Sequence, residues 1–281
     1  MRVAAGRGGY TYSDRRSAQS AAAKGWRAMP SSAGATGTVD PDEVARFAAL
    51  ADDWWDPRGR FRPLHQLNPV RLAFIRDRLV RHFGRDPASL TPFSGLRVLD
   101  IGCGGGLVAE PMARLGADVV GLDATDKNIR IARLHAERTG LSIDYRCAAA
   151  EDLVDDAARF DVVLALEVIE HVAALEPFVA ACGRLLTPGG VLVAATLNRT
   201  AKAWAFAIVG AEYVLGWLPR GTHRWAKFVR PAELAGALRR SGLTVAELAG
   251  VSYDPLAGAW SLSRDLAVNY MVFARTAAAP D

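Results

Sequence analysis

The sequence predicts an α/β domain with a mostly parallel β-sheet of seven strands, N-terminal helices and a helical insertion after the fifth strand. From Leu96 onward, short apolar runs alternate with segments of helical periodicity, and such alternation favours parallel strands joined by right-handed crossovers. A glycine-dense loop at 102–106 directly follows the first apolar run. Ligands of such sheets bind beyond the carboxyl ends of the strands, so this loop marks a candidate site.

The elements of the sheet follow one another in a regular order. Strands are predicted at 97–100, 118–122, 142–146, 161–166 and 191–196, with two more at 243–250 and 270–274. Helices are predicted at 107–115, 127–139, 176–186 and 231–241, most clearly at 127–139 and 176–186. A strong turn sequence, Thr187-Pro188-Gly189-Gly190, precedes the fifth strand.

Two helices are predicted before the sheet. The first has N-cap and first-turn acids in Asp40-Pro41-Asp42-Glu43, and the second opens at Asn68 with Pro69 in its first turn. These helices are placed to form a lid over the core. We therefore assign 39–276 to one folded domain, with 277–281 as a tail.

The basic charge of the chain is concentrated in residues 1–38. This segment carries six Arg or Lys residues and one Asp, whereas the rest of the chain carries 28 basic and 29 acidic residues. Because residues 39–281 have no excess of basic residues, they lack the basic surface that is typical of a nucleic-acid-binding protein. Residues 1–38 are predicted to be a disordered or mis-annotated extension; a transit peptide and a true start at Met29 stay open. Three widely spaced cysteines fit a reducing compartment.

The spacing of the glycines distinguishes two classes of nucleoside ligand. A dinucleotide fingerprint counted from Gly102 requires glycine at position 107, where the chain has Leu107. The chain instead resembles motif I of the class I methyltransferases, with Asp100-x-Gly102-x-Gly104-x-Gly106. That Rossmann-like fold binds S-adenosylmethionine (SAM) and usually ends in an antiparallel hairpin. Asp123 ends the next strand, 21 residues after Gly102, where an acid can bind ribose hydroxyls. The alternative is a glycine turn without a ligand.

A second polar cluster follows the fourth strand. Glu167, Glu170 and His171 stand at i, i+3 and i+4, so a helical turn would point them to one side. Two carboxylates and an imidazole can hold a divalent cation such as Mg²⁺. The alternative is a capped loop in which His171 packs against its neighbours or orients them. If the acceptor of the SAM methyl group is a phenol, it must lose its proton. A metal ion bound by the neighbouring oxygens of a catechol, or His171 as general base, would help to remove that proton.

An apolar stretch at 203–218 interrupts the alternation of strands and helices. As a helix it would be about 24 Å long, shorter than the ~30 Å hydrocarbon core, so a transmembrane span is rejected. Lys202 and Arg220 flank the stretch, and Trp204 and Trp217 lie near its ends. This arrangement fits a helix that lies in the membrane interface. The alternative is a lid over an apolar substrate pocket, and both imply an apolar partner.

Several further segments together resemble the family of ubiquinone biosynthesis O-methyltransferases, over residues from about 41 to 273. They are Trp54-Trp55-Asp56, Pro63-Leu64-His65, Asn68-Pro69-x-Arg71-Leu72, Glu167-x-x-Glu170-His171, Thr196-Leu197-Asn198-Arg199, Gly210-Ala211-Glu212-Tyr213, Gly221-Thr222-His223 and Val268-Asn269-Tyr270-Met271. The W-W-D, N-P-x-R-L and G-A-E-Y segments are far more specific than motif I. The chain departs from the family in residues 1–38 and at Ala226, where relatives often carry Lys.

The resemblance implies an activity and a set of site residues. The activity is O-methylation of two catechol-like polyprenyl intermediates of ubiquinone synthesis, 2-polyprenyl-6-hydroxyphenol and 3-demethylubiquinol. The implied SAM contacts are Arg71, Gly102, Asp123 and Leu166, the implied metal ligands are Glu167, Glu170 and His171, and the implied catalytic groups are Glu170 and His171. The guanidinium of Arg71 can clamp the methionine carboxylate of SAM, and Leu166 would lie against the adenine.

The resemblance also implies the surroundings in which the chain works. The insertion at 197–230 would contact the membrane, and the protein would be cytoplasmic and peripherally associated with the inner membrane, near other ubiquinone-biosynthesis enzymes. Two alternatives stay open: a SAM-dependent methyltransferase of another small phenolic or lipid acceptor, and a non-catalytic lipid-binding protein on this scaffold. Leu107 disfavours a nicotinamide dehydrogenase.

Overall fold

The computed structural model describes residues 40, 54–59, 61–205, 224–254 and 257–277. The chain divides into two units, Met1–Ala35 and Thr36–Asp281, and every described residue belongs to the second unit. The extension at 1–38, most of the first predicted helix and most of the apolar stretch at 203–218 lie outside the described residues. Among the helices that are described, none has the length and apolar character needed to cross a membrane.

An eight-stranded sheet forms the centre of this unit, in the order β3-β2-β1-β4-β5-β8-β6-β7. Its strands are β1 (Arg97–Ile101), β2 (Asp118–Asp123), β3 (Asp144–Cys147), β4 (Phe160–Leu166), β5 (Leu186–Leu197), β6 (Thr244–Asp254), β7 (Ala259–Ser263) and β8 (Asn269–Arg275). The first five strands pair in parallel, whereas β8 runs antiparallel to both of its neighbours. The predicted α/β class is confirmed.

The prediction of seven strands is wrong by one. The additional strand, β7, pairs antiparallel with β6 at the edge of the sheet. It has five residues, of which two are serines and three are exposed, so its apolar pattern is weak. The terminal hairpin is therefore formed by β6 and β7, and the last strand, β8, passes between β5 and β6.

Six helices longer than one turn are found in the described residues. They are α1 (Arg62–His82), α2 (Ala109–Arg114), α3 (Asp126–Arg138), α4 (Ala150–Asp155), α5 (Leu175–Arg184) and α6 (Pro231–Arg240). The prediction that a helix opens at Asn68 is wrong, because α1 begins at Arg62 and contains Pro69 in its interior. Pro63 takes the first-turn position instead, where a proline loses no intrahelical hydrogen bond.

Apolar side chains cover both faces of the sheet, as expected for parallel strands flanked by helices. On one face the core includes Phe74 and Leu79 of α1 and Met112 of α2. On the other face it includes Phe178 of α5 and Leu234 of α6. Since helices bury both faces, the carboxyl ends of the parallel strands are where polar side chains can collect.

The turn predicted at 187–190 lies inside a strand. β5 already pairs with β4 at Leu186, and the register then shifts before Val191. Gly189 has φ +77°, a conformation that glycine adopts without steric cost. The turn residues thus produce an irregularity within β5 rather than a loop before it.

Candidate active site

The glycine loop between β1 and α2 forms the centre of the candidate site. Gly104 and Gly106 have φ values of +53° and +95°, which side chains with a Cβ rarely adopt. A Cβ on Gly104 would lie 2.3 Å from the indole of Trp54, and one on Gly106 would lie 2.3 Å from the Tyr145 hydroxyl. The close approach of the Trp54 and Tyr145 side chains therefore requires glycine at positions 104 and 106.

Asp123, the last residue of β2, lies beside this loop as predicted. Its Oδ2 accepts the backbone N–H of Gly104 at 3.0 Å, and its Oδ1 accepts the backbone N–H of Thr125 at 2.8 Å. The Asn128 side chain donates to Oδ1 at 3.1 Å. Burial raises the pKa of Asp123, and these three hydrogen bonds oppose that rise. The carboxylate is thus held in one orientation beside the loop.

A buried pair of opposite charges lies at the end of β1. The Arg71 guanidinium, on α1, is 3% exposed, donates to Asn68 Oδ1 at 3.2 Å and has no partner for its Nε among the described residues. Burial lowers the pKa of Arg71, and the carboxylates of Glu167, Asp100 and Glu170 oppose this. Arg71 therefore lies within electrostatic reach of all three acids.

Asp100 is the acidic member of this pair, and its role was not predicted. Burial raises its pKa to about 7, while Arg71 and the backbone N–H of Ala109 counteract the rise. Its Oδ2 is buried without a hydrogen-bond partner in the described part of the chain. Two buried groups of opposite charge, each with one atom left without a partner in the described residues, fit a zwitterion, and the ammonium and carboxylate of the SAM methionine form one.

The acidic residues after β4 occupy the neighbouring part of this edge. Glu170 is 3% exposed, and its Oε2 accepts the hydroxyl of Thr196 at 2.6 Å. Its Oε1 has no partner among the described residues. Burial, and then the charge of Glu167, raises the pKa of Glu170 to about 8. Glu167 has φ +55° and accepts a 3.4 Å hydrogen bond from the Asn269 amide.

The helical turn that would align the three predicted metal ligands is not formed. Ile169–His171 is a single 3₁₀ turn, and Glu167 precedes it in the left-handed conformation. Across the described ranges, no group of three His, Cys, Asp or Glu side chains is arranged to hold a metal ion. The unpartnered Oε1 of Glu170 fits a cation or a proton, so the metal role of Glu167, Glu170 and His171 stays a prediction.

The remaining predicted contacts, Gly102 and Leu166, lie on the same edge. Gly102 has φ +71° and is exposed. Leu166 ends β4 and is 7% exposed in the apolar layer that also contains Cys103. The carboxyl edge thus brings together Arg71, Gly102, Asp123, Leu166, Glu167 and Glu170. His171 follows them, half-buried, at the end of its 3₁₀ turn.

Besides Asp100, four residues of this edge were not given a role from the sequence. Thr196 donates a hydrogen bond to Glu170 and Asn269 donates one to Glu167. Asn128 donates to Asp123, and Trp54 donates to Asn128. Thr196, Asn269 and Trp54 stand in the segments that carry the family resemblance, which is the signal that could have found them. Asn128 stands five residues after Asp123 in α3 and carries no such signal.

Comparison with known proteins identifies relatives of this chain. A family described as a methyltransferase domain matches residues 99–194. The chain is 58% identical over 237 residues to a ubiquinone biosynthesis O-methyltransferase from Mesorhizobium japonicum, covering 84% of this chain and 95% of the relative. It is 59% identical over 237 residues to one from Chelativorans sp., covering 84% of this chain and 94% of the relative.

Solved structures support the fold. A magnesium protoporphyrin IX methyltransferase from Synechocystis PCC 6803 with bound S-adenosylhomocysteine (SAH) gives a TM-score of 0.56 at 18% identity, covering 84% of this chain and 93% of that one. The same enzyme with bound SAM gives 0.57 at 16% identity, covering 86% and 100%. The class I methyltransferase fold is confirmed. Since identities above half extend over most of both sequences, this chain belongs to the family of ubiquinone biosynthesis O-methyltransferases.

Proposed function

We propose that this chain is a SAM-dependent O-methyltransferase of ubiquinone biosynthesis. Its acceptors would be phenolic hydroxyls of catechol-like polyprenyl intermediates, 2-polyprenyl-6-hydroxyphenol and 3-demethylubiquinol. The observation that carries the proposal is the line of polar groups along one edge of the sheet. It begins at Asp123, continues through Asp100 and Arg71, and ends at Glu170.

The two ends of SAM have matching groups along this line. Arg71 would bind the methionine carboxylate and Asp100 the methionine ammonium, because each carries a buried polar atom without a protein partner among the described residues. Asp123 would accept the ribose hydroxyls, which its fixed carboxylate can still do with its remaining lone pairs. Leu166 would supply an apolar surface for the adenine.

The acceptor must lose a proton as the methyl group is transferred. A phenol has a pKa near 10, so making its anion at pH 7 costs about 4 kcal/mol. Glu170 and His171 are the groups we propose for this task. Burial raises the pKa of Glu170 to about 8, which is closer to the pKa of the phenol than the pKa of an exposed glutamate would be. A divalent cation, if bound, would be held by Glu167, Glu170 and His171 and would lower the pKa of a chelated catechol.

Activity on a short-chain demethylubiquinol analogue tests this function. Purified protein with SAM should yield one O-methylated product, identified by mass and by NMR, and the reaction should stop when SAM is omitted. A C-methylated product, or methylation of unrelated phenols only, would contradict the proposed acceptor. Parallel reactions with EDTA and with added Mg²⁺ report whether a cation takes part.

The polyprenyl tail of the proposed substrate is apolar and would reside in a membrane, so the enzyme would have to contact the membrane to reach it. Trp204 and Trp225 are 50% and 42% exposed on either side of residues 206–223. Exposed tryptophans favour the interface of a bilayer. We therefore extend the proposal to peripheral association with the inner membrane from the cytoplasm, where other enzymes of the pathway would be partners.

Liposome flotation tests the membrane contact. Replacing Trp204 and Trp225 together by Ser should reduce the fraction of protein that floats with anionic liposomes. Leu134→Ser is the matched control, because Leu134 is 52% exposed on α3 and belongs to no proposed contact. Equal flotation of all three proteins would exclude the two tryptophans as membrane contacts.

A further inference from the structure

A chain of two hydrogen bonds links the segment before α1 to the acid at the end of β2. The indole Nε1 of Trp54 donates to Asn128 Oδ1 at 2.8 Å. The amide Nδ2 of Asn128 then donates to Asp123 Oδ1 at 3.1 Å. Trp54 is 7% exposed and Asn128 is 1% exposed, so solvent has little access to the first bond, whereas the second is partly buried.

Independent contacts fix the position of the Trp54 ring. It stacks on Phe61 with centroids 3.9 Å apart and an angle of 6° between the planes. The imidazole Nε2 of His65 lies 2.9 Å from the Trp54 carbonyl oxygen. A Cβ on Gly105 would lie 2.6 Å from the Trp54 side chain, so the glycine loop is shaped to receive this ring. The indole N–H is therefore held in one place.

The chemistry of the two side chains gives this link a direction. An indole N–H can only donate, so it requires the oxygen end of the Asn128 amide. The NH₂ end must then face Asp123, where it donates to the carboxylate. Without the indole N–H the amide is free to turn its oxygen toward Asp123, and two acceptors would then face each other.

We infer that Trp54 and Asn128 are positioning residues for the cofactor, because they hold the Asp123 carboxylate in the orientation that accepts the ribose hydroxyls. The inference rests on the proposed contact between Asp123 and the ribose. It makes the segment at 54–59 part of the nucleoside site without direct contact with the reacting atoms.

Titration calorimetry with SAH and with its 2′-deoxy analogue tests the inference on the full chain. We expect Trp54→Phe and Asn128→Ala each to weaken SAH binding by about fivefold to tenfold. Because both act through one contact, the double variant should bind SAH no more weakly than Asn128→Ala alone. The preference for SAH over the 2′-deoxy analogue should fall in each variant, and the KM for SAM should rise while kcat is kept.

Trp55→Phe is the matched control. It likewise removes one indole N–H bond, the 2.9 Å bond to the Gly105 carbonyl of the glycine loop, but it leaves the contacts of Asp123 unchanged. Its preference for SAH over the 2′-deoxy analogue should equal that of the unchanged protein. An unchanged preference in Trp54→Phe would overturn the inference. If Trp54→Phe fails to fold by circular dichroism, the preference measured in Asn128→Ala tests the inference by itself.

Asp123→Asn separates the two proposals. Loss of SAH affinity in this variant, together with normal binding by Trp54→Phe and Asn128→Ala, would refute the positioning role and keep the ribose contact. Unchanged SAH affinity in Asp123→Asn would refute the ribose contact itself, and the inference with it.

Discussion

The two halves of the carboxyl edge are built in different ways. At the end of β2, both oxygens of Asp123 accept hydrogen bonds within the protein. At the ends of β1 and β4, the described residues leave Arg71 Nε, Asp100 Oδ2 and Glu170 Oε1 buried without partners. A buried polar group without a partner costs about 1–3 kcal/mol. The first half is preorganised, whereas the second contains groups that a bound ligand would satisfy.

The largest effect should come from Glu170, at the unsatisfied half. Glu170→Gln keeps the size of the side chain and removes its capacity to take a proton. We expect kcat to fall by about 10²- to 10³-fold, in the range of general base catalysis, with the affinity for SAH within about twofold of the unchanged protein. Steady-state kinetics and calorimetry measure the two quantities. Loss of SAH binding in this variant would contradict the assignment of Glu170 to the acceptor rather than to SAM.

Thermal unfolding of the same variant sharpens the comparison. The pKa of Glu170 in the folded protein, about 8, lies above its ordinary value of 4.5. The contribution of this group to the free energy of unfolding therefore falls as the pH rises from 4.5 to 8. Glu170→Gln should therefore raise Tm at pH 8. Glu247→Gln is the opposite control, because an ion pair with Arg78 at 2.6 Å lowers the pKa of Glu247. That variant should lower Tm, and a lower Tm for both would contradict this account.

Arg71 should give the next largest effect. Arg71→Met removes the cation but keeps an unbranched side chain, and the affinity for SAH should fall by about 30- to 100-fold, or 2–3 kcal/mol. The affinity of Arg71→Lys for SAH should lie between those of Arg71→Met and the unchanged protein, since an ammonium cannot bind a carboxylate in bidentate fashion. Calorimetry checks both variants. Affinities within about threefold of the unchanged protein would remove Arg71 from the proposed site.

The pH dependence of SAH binding tests Asp100. Burial holds the pKa of Asp100 at about 7 in the structure. The proposed bond to an ammonium needs the ionised form, so affinity should fall as the pH drops below 7, by at most about tenfold per pH unit. Calorimetry between pH 5.5 and 8 should show this slope in the unchanged protein and a flatter one in Asp100→Asn. Identical slopes would exclude Asp100 as the titrating group.

Thr196 should show the smallest effect. Thr196→Val removes the hydroxyl that donates to Glu170 but keeps the shape of the side chain. The loss of one such bond is worth about 1 kcal/mol, so kcat should fall about fivefold, while Thr196→Ser should restore it. Kinetic assays of both variants decide this. A similar loss in Val and Ser variants would mean that packing, and not the hydrogen bond, is what Thr196 provides.

The sequence predicts the preorganised half better than the other half. Gly102 directly follows β1 and Asp123 ends β2, and the ends of parallel strands meet at one edge, so their proximity follows from local patterns. The partners of Glu170 and Glu167 depend on β5 and β8, which lie 26 and 102 residues away along the chain. Local patterns carry no information on such pairings, and the left-handed backbone of Glu167 likewise has no signal in its own sequence.

The position of β8 has a consequence for biosynthesis of the protein. The last strand of the described chain lies between β5 and β6 and is buried over six of its seven residues. On the ribosome, β5 and β6 are made first, and neither can pair with β8 until residues 269–275 emerge. The sheet is therefore completed only after residues 269–275 have been made, and a nascent chain stalled before Asn269 would expose two unpaired strand edges.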